Sequence, residues 1–593
     1  MNKILKIVLI SFTLLVSCTR NTTKENMSGS QSSINKVFDQ YYEDRLKLYP
    51  LDATMAGDSR YNDVLKNDIS ESYRAELRSF YSKYLNEIKK YNRSNLSEID
   101  QDSYDVLTWE CEIHLKELEF PFNLMPVNQI FSLHLLIGQL AGGESFQPFK
   151  TAKDYDNWLS RLKTFTAWCD TAIANMREGI KLGYVLPRSL TIKVIPQMTE
   201  FDHGPVEDHL FFAPIKKMPA DISQEDKIRL EKEYKDYIKN EIIPAFKRLH
   251  NFLNDEYLPA SRKTSGILYL PKGKEMYDYL IKSFTTTEMS TDEVFELGQS
   301  EVARLTVEME KVKDQVGFKG DLKSFFVVVR SSKKLMPYTT ADEVINHFKD
   351  IYNTIKPNLS KLFDLTPKTP FEIHRTEAFR EASASAEYYQ GSLDGTRPGV
   401  FYVPVPDANK YNIFADEDLF LHEAIPGHHY QISIQQESKE LPQFRRIFWN
   451  SAFGEGWALY AESLGKELGL YTDPYQYFGM LSEEMHRAIR LVVDVGIHSK
   501  GWTREEAIQY SLDREAESEE SIISEIERYM ASPGQAVSYK IGQLKIIALR
   551  NKAENTLGKK FDIREFHNKI LESGVLPLDL LEVKINKWIE SKK

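Results

Sequence analysis

The sequence predicts a mainly α-helical protein in which a short β-sheet lies beside a cleft. From about residue 34 to the carboxyl terminus, apolar residues recur every three or four positions, as in "INKVFDQYYEDRLKLYP" and "SYRAELRSFYSKYLNEIKKY". This is the spacing of a helix that buries one face. The segment "GTRPGVFYVPVPD" differs, because glycine, proline and β-forming residues are concentrated there. We expect residues 400–405 to form a strand, and Pro404 and Pro406 favour a strand end or a sheet edge.

The composition indicates a soluble globular protein with a large core. The chain has 593 residues, of which 42% are apolar and 27% are charged. The net charge of -11, with no basic cluster, argues against a nucleic-acid partner. No linker divides the body, so we predict one large α-helical domain over residues 34–593. A division of this domain into two lobes around a cleft stays open.

The amino terminus has the pattern of an export signal. Two lysines precede a short apolar run that ends at Cys18, and the run is too short for a comfortable membrane span. We interpret residues 1–17 as a signal peptide. The end of the run resembles the bacterial lipobox, so we expect a lipid on Cys18 to bind the protein to an envelope membrane, on the periplasmic or the outer-membrane face. The polar residues 18–33 then form a flexible tether, and a simple secretory signal is the alternative.

Two further cysteines lie in the predicted helical body. Cys111 and Cys169 are not part of a metal-binding motif such as C-x-x-C. They could pair in an oxidising compartment or remain buried thiols.

The stretch "LHEAIPGHHYQ", residues 421–431, begins like the zinc-peptidase motif H-E-x-x-H. That motif works because two histidines four residues apart share a helix face and hold one ion. Here Pro426 stands at the second position, and the next histidines are His428 and His429. On a regular helix His428 lies about 120° from the face of His422, and His429 lies about 10.5 Å further along the axis. Because zinc binds nitrogen at about 2.0–2.1 Å, neither pair can chelate without a distortion.

Pro426 and Gly427 supply a reason for that distortion. Proline cannot donate to the carbonyl of the preceding turn, and glycine accepts unusual backbone angles. If these two residues bulge out, the remaining order is His-Glu-Ala-Ile-His, with His428 as the second ligand and His429 as the weaker candidate. Glu423 is then placed to act as the general base. The alternative is a core histidine followed by a surface turn.

A third ligand is predicted in "SAFGEGWALYAESLG". A carboxylate from a later helix completes the His2Glu set of many zinc peptidases, and Glu455 is the candidate. Glu462 lies two turns further on the same face, as a backup ligand or as an acceptor that orients a histidine. We therefore predict one Zn²⁺ ion held by His422, His428 and Glu455.

Other polar residues are candidates for substrate contacts. Arg490, Asp494 and His498 recur every four residues on one predicted helix, and a salt-bridge network between helices is the alternative explanation for this stripe. We expect Arg490 to bind a substrate carboxylate. We expect His498, oriented by Asp494, or Tyr539 to stabilise the oxyanion.

The predicted strand could hold an extended peptide by adding it to the sheet. Arg397 and Tyr402, with Tyr388 and Tyr389, are the substrate-binding candidates around it.

Four motifs, "HEAIPGHHYQ", "GEGWALYAE", "RLVVDVGIHSKGWT" and "PGQAVSYKIGQLKI", together resemble the bacterial domain-of-unknown-function 885 family. That family looks like a relative of helical zinc peptidases such as thimet oligopeptidase and Taq carboxypeptidase, which implies a zincin-like helical body. The Pro-Gly insertion departs from their motif. The expected function is zinc-dependent hydrolysis of peptides, and the alternative is a lipoprotein that binds peptides without cleaving them. A serine hydrolase is disfavoured because no G-x-S-x-G elbow is present.

Overall fold

The structure, a computed structural model, describes residues 33–143, 145–377, 381, 384–393, 395 and 397–593. The predicted signal peptide, the lipidation site at Cys18 and the tether up to residue 32 lie outside the described residues. None of the described helices is both long and apolar enough to cross a membrane.

The described residues form a mainly α-helical fold, as predicted. The helices before the sheet are α1 (33–48), α2 (Pro50–Met55), α3 (Glu71–Ile88), α4 (Glu98–Glu117), α5 (Leu133–Ala141), α6 (Ala152–Leu182), α7 (Arg188–Thr199), α8 (Ala213–Lys216), α9 (Gln224–Tyr237), α10 (Ile243–Phe252), α11 (Leu258–Ala260), α12 (Gly273–Thr285), α13 (Thr291–Gln315), α14 (Leu322–Ser331), α15 (Ala341–Ile355) and α16 (Leu359–Leu362). The helices after the sheet are α17 (Asp416–Glu423), α18 (His428–Glu437), α19 (Gln443–Ile447), α20 (Ser451–Ser463), α21 (Gly465–Leu468), α22 (Pro474–His498), α23 (Arg504–Leu512), α24 (Glu519–Ala531), α25 (Ser538–Leu557), α26 (Ile563–Leu571) and α27 (Leu578–Lys592).

Helix starts follow local capping chemistry. Ser290 precedes α13 and Glu293 is its third residue, and each side chain accepts from the other's backbone N–H. Asp473 caps α22, and Pro474 occupies its first position, where a missing N–H is tolerated.

The apolar core consists of two clusters. The larger cluster draws on residues 34–124 and on most of the chain after residue 267, while the smaller one is built from residues 65–257. Cys111 lies in the larger cluster and Cys169 in the smaller one, and both are buried free thiols. The two cysteines therefore do not pair.

In sequence order, a three-stranded sheet separates helices α1–α16 from helices α17–α27. Its strands are β1 (Phe371–Arg375), β2 (Glu387–Tyr389) and β3 (Gly399–Val403), in the order β1-β3-β2. Strand β3 is parallel to β1 and antiparallel to β2. Of the two positions that Pro404 and Pro406 allow, the strand end is therefore observed and the sheet edge is not, because both prolines lie beyond the last paired residue of β3. The sheet edges are β1 and β2.

The helices that carry the candidate site pack closely. Helix α20 lies along α25, and the contact is made by glycines: a Cβ at Gly456 would lie 2.5 Å from the backbone carbonyl carbon of Gly542. Helix α17 contacts both α20 and α22. Because glycine at this crossing lets the backbones approach, the residues of α20 are held firmly beside α17.

Candidate metal centre and its cavity

The helix break predicted at Pro426 is present, in a different form. Helix α17 ends at Glu423 and α18 begins at His428, so residues 424–427 form a turn between two helices instead of a bulge within one. The peptide bond between Ile425 and Pro426 is cis. A Cβ at Gly427 would lie 1.9 Å from the carbonyl oxygen of His422, so the turn requires glycine at this position.

The turn brings the predicted ligands together. Glu455 Oε2 lies 3.6 Å from His422 Nε2 and 3.4 Å from His428 Nε2. One ligand atom of each of the three residues lies within 4.8 Å of the other two. The two histidines are buried and Glu455 is partly buried. The structure thus brings to one point the three residues that the sequence selects as ligands.

Glu462 orients His422. Its Oε1 accepts a hydrogen bond from His422 Nδ1 over 2.6 Å, and the side chain is only 1% exposed. With Nδ1–H bound to a carboxylate, Nε2 is the nitrogen turned towards Glu455. Histidines that bind metals commonly donate the other ring N–H in this way. The geometry therefore favours the orienting role for Glu462 over the role of a ligand.

The donor set fits zinc. Ligands at about 2.0–2.1 Å from a tetrahedral ion lie roughly 3.4 Å apart. The two His–Glu separations match this distance, and two imidazoles with one carboxylate are ligands that zinc accepts. His422, His428 and Glu455 are the residues that would hold the ion.

His429 faces away from this cluster. Its Nδ1 lies 2.9 Å from the hydroxyl of Tyr388, and its ring packs against Phe371 with a centroid distance of 4.9 Å. Burial lowers the pKa of His429 to about 4. His429 therefore joins α18 to the sheet.

The charges of the cluster depend on one another. Burial lowers the pKa of His422, but contacts with Glu455 and Glu462 outweigh it and raise that pKa well above its usual value. Burial raises the pKa of Glu455, yet the neighbouring His428 and His422 hold it well below the usual range. Burial raises the pKa of Glu423. Without a metal, the cluster is thus an ion pair of histidine and glutamate beside a buried carboxyl.

The cluster opens into a cavity of about 400 Å³. Glu423, Arg490 and Tyr539 line it together with the three candidate ligands. Residues that the sequence analysis did not assign to the site also line it: Glu387, Gln390, Ile432, Trp449 and Arg487. Tyr388 lines the cavity from β2, as expected for a residue beside the site.

The sequence spacing on α22 could have predicted that Arg487 lines the cavity. It precedes Arg490 by three residues, so both lie on one face of α22. Nothing in the sequence marks Trp449, which lies in the short segment before α20.

Arg490 and Tyr539 are in contact at the cavity wall. The guanidinium carbon of Arg490 lies 4.8 Å from the centroid of the Tyr539 ring. The guanidinium also donates to the Tyr529 hydroxyl and to Glu525, each over 3.0 Å.

The role predicted for His498 is wrong. His498 is fully buried, its Nδ1 accepts from the backbone N–H of Ile267 and its Nε2 donates to the carbonyl of Tyr529, each over 3.0 Å. Both ring nitrogens are therefore used within the core, and burial lowers the pKa to about 3. Asp494 does not orient this ring, because its carboxylate accepts from the Tyr277 hydroxyl and from the N–H of Gly534.

Arg397 and Tyr402 are also not among the residues that line the cavity. The side chain of Arg397 is exposed in the turn before β3. Tyr402 lies on β3, and its ring packs against Tyr389 and His374 with centroid distances of 5.6 and 5.9 Å. The central position of β3 explains this difference, because β2 separates it from the cavity.

Fold and site together define a class: a mainly α-helical protein with a candidate His2Glu metal centre at a break between two helices. The chain belongs to the family of bacterial proteins of unknown function called DUF885, whose model matches residues 50–585. The resemblance seen in the four sequence motifs is therefore confirmed.

Two solved structures are similar to this one. The first is "the putative lipoprotein from Colwellia psychrerythraea", with 28% sequence identity and a TM-score of 0.87, and the match covers 95% of this chain and 100% of that one. The second, "a putative lipoprotein of unknown function from Shewanella oneidensis", has 20% identity and a TM-score of 0.74 over 92% of this chain and 98% of that one. The second match, at its lower identity, supports the fold alone. A comparison with curated proteins finds no match.

Proposed function

We propose that this protein is a zinc-dependent peptidase that hydrolyses oligopeptides at the bacterial envelope. The observation that carries the proposal is the convergence of His422, His428 and Glu455 within 4.8 Å, beside Glu423 in the same cavity. The order His-Glu, His and a later Glu, which resembles the ligand pattern of helical zinc peptidases, supports it.

A bound zinc ion would supply Lewis acidity at this point. Glu423 takes a proton from the water that attacks the peptide carbonyl and delivers it to the departing amine. Burial raises the pKa of Glu423, which favours proton uptake by this carboxylate. The Tyr539 hydroxyl donates to the carbonyl oxygen as negative charge develops there.

The sheet offers a place for the peptide backbone. Strand β2 is an edge of the sheet, and its residues Glu387 and Tyr388 line the cavity. An extended peptide that adds to a sheet edge is fixed in register without recognition of its side chains. We therefore assign to β2 the substrate-binding role that the sequence analysis gave to β3.

A lipoprotein that binds peptides without cleaving them is the competing function. Such a protein has no need of a carboxylate beside its first metal ligand, whereas Glu423 directly follows His422 and lines the cavity. This residue favours the peptidase.

The test is metal analysis followed by digestion of a peptide library with and without a chelator. We expect about one zinc ion per chain and cleavage that the chelator abolishes. Glu423→Gln should retain zinc and lose hydrolysis by orders of magnitude, and His422→Ala should lose both. The matched control is Glu440→Gln, at an exposed position, which should behave as the parent protein. Full activity of purified Glu423→Gln would exclude the mechanism.

We also propose that the mature protein is anchored through a lipid on Cys18. The lipobox-like sequence supports this, as does the similar structure named as a putative lipoprotein from Colwellia psychrerythraea. Cells fed a labelled fatty acid should incorporate the label into the parent protein and not into Cys18→Ser. An unlabelled parent protein would contradict the anchor.

A further inference from the structure

One nitrogen of Arg490 lacks a hydrogen-bond partner among the residues that the structure describes. Its Nε and Nη2 are bonded to Tyr529 and Glu525, but Nη1 is buried and has no hydrogen-bond partner among the described residues. Arg490 is only 6% exposed, and it lines the cavity of the candidate metal centre. Buried donors are nearly always partnered, so a buried guanidinium nitrogen without a partner at a cavity wall indicates a missing acceptor.

Arg487 shows the same feature. It lines the cavity one helical turn before Arg490, and its Nε is also buried without a partner among the described residues. Its Nη1 is bonded to Glu483. Two neighbouring guanidinium groups on one face of α22 thus have unused donors.

A hydrogen-bond network behind this wall holds Arg490 in position. Glu525 Oε2 alone accepts from Arg490, Arg528 and the Tyr529 hydroxyl. Arg490 Nη2 also donates to His486 Nε2 over 3.0 Å, and His486 Nδ1 is bonded in turn to Glu515.

Arg490 and Arg528 are paired with Glu525, and Arg487 is paired with Glu483. The unused donors of Arg490 and Arg487 belong to guanidinium groups, and a carboxylate is the group that guanidinium binds best.

The acceptor must lie close to the reacting bond. The ligand cluster and both arginines line one cavity of about 400 Å³. A sphere of that volume is roughly 9 Å across, which is the length of about two or three extended residues. A carboxylate bound by the arginines therefore belongs to a residue next to the cleaved bond or one further along.

A second cavity gives room for the rest of the peptide substrate. It has a volume of about 520 Å³ and shares Gln390, Trp449 and Glu455 with the first. Trp109 and Phe448 give its wall an aromatic surface. A peptide can thus extend from the first cavity into the second, past Glu455.

Resting on the proposed peptidase function, we infer that Arg490, assisted by Arg487, binds the C-terminal carboxylate of the peptide, so that the protein removes one or two residues from the carboxyl end. The Tyr539 ring under the guanidinium and the bonds to Tyr529 and Glu525 hold Arg490 in place before substrate binds. A fixed guanidinium loses little freedom on binding.

The experiment compares two N-acetylated pentapeptides of alanine and phenylalanine that differ in ending as a free acid or as an amide. Binding is measured by calorimetry on zinc-loaded Glu423→Gln protein, and cleavage is measured on the parent protein by mass spectrometry. We expect the amide to bind about 10- to 100-fold more weakly, the effect of losing a charge-assisted hydrogen bond. The cleavage products of the free acid should be one or two residues from its carboxyl end.

The variants identify the group that recognises the carboxylate. Arg490→Gln, made in the Glu423→Gln background, should reduce the acid-to-amide binding ratio to near one. Arg487→Gln should reduce the acid-to-amide binding ratio in part. It is the test variant if Arg490→Gln does not fold. The matched control is Arg528→Gln, which removes another cation from Glu525 but does not line the cavity. Arg528→Gln should keep the acid-to-amide binding ratio of its Glu423→Gln background.

The outcomes separate the two proposals. Equal binding of acid and amide, or an unchanged ratio in Arg490→Gln, overturns the inference even if peptides are cleaved. A strong preference for the acid without any cleavage supports the subsite and contradicts the peptidase. A third peptide, amidated and ending in aspartate, tests the other source of a carboxylate: binding as tight as that of the free acid would assign the arginines to an acidic side chain and overturn cleavage from the carboxyl end.

Discussion

Glu462 Oε1 lies 2.6 Å from His422 Nδ1, and this buried hydrogen bond fixes which nitrogen of the imidazole faces Glu455. Bonds of this type keep a ligand in its binding orientation and increase its basicity.

The first prediction concerns this bond. Glu462→Gln removes the negative charge while keeping the shape, so zinc affinity should fall about 10- to 100-fold. Competition with a chromophoric chelator measures the change. Glu467→Gln is the control, because that carboxylate lies nearby at the surface and pairs with Arg550. Unchanged affinity in Glu462→Gln would show that the bond does not contribute to the site.

The second prediction concerns the turn between α17 and α18. A Cβ at Gly427 would lie 1.9 Å from the carbonyl oxygen of His422 and 2.3 Å from that of Leu421. Gly427→Ala should therefore displace His428 and weaken zinc binding by at least tenfold, with a lower melting temperature. Gly142→Ala is the matched control, since its added carbon would meet its nearest atom at 3.4 Å. Normal zinc affinity in Gly427→Ala would contradict the geometry of the turn.

The third prediction concerns the proton that His422 releases when zinc binds. The pKa of His422 is raised well above its usual value in the metal-free protein, so this histidine is protonated at pH 7. Zinc binds the neutral imidazole, so binding must release a proton and the apparent affinity must rise with pH. Below the raised pKa each fall in pH favours the metal-free form. Calorimetry in two buffers with different ionisation enthalpies measures the release, and identical binding enthalpies would contradict it.

The convergence of the three candidate ligands was predictable from the sequence because the information for it is local. The His-Glu pair, the Pro-Gly break and the later glutamate lie on short helices, where spacing decides which side chains share a face. The break also predicted His428 over His429. The sequence could not show that the break takes the form of a turn between two helices.

Two expectations failed because they depend on distant contacts. Arg490 and His498 share a face of α22, but eight residues separate them by about 12 Å along the axis. The same face therefore reaches the cavity at Arg490 and the core at His498. Strand β3 is central because β1 and β2 pair with it, and these short strands carry little pattern of their own.

The fourth prediction follows from the position of His498. His498→Ala leaves the N–H of Ile267 and the carbonyl of Tyr529 without partners in the core. The free energy of unfolding should fall by about 2–6 kcal/mol, since each of the two buried groups left unbonded costs roughly 1–3 kcal/mol. Denaturant unfolding measures this loss. Zinc affinity, measured at a temperature where the variant is folded, should not change, and a loss of affinity in the folded variant would return His498 to the site.

The fifth prediction isolates Tyr539. Tyr539→Phe keeps the ring that packs under Arg490 and removes only the hydroxyl. If that hydroxyl stabilises the developing oxyanion, kcat should fall about 10²- to 10³-fold while KM changes little, because the donor acts mainly in the transition state. Zinc content and the acid-to-amide binding ratio should stay at the parent values, which separates the hydroxyl from the carboxylate subsite. The control is Tyr477→Phe, on the far side of α22 in contact with Lys466, which should keep the parent kcat. If KM of Tyr539→Phe instead rises by the factor predicted for kcat, and kcat is unchanged, the hydroxyl contributes to substrate binding.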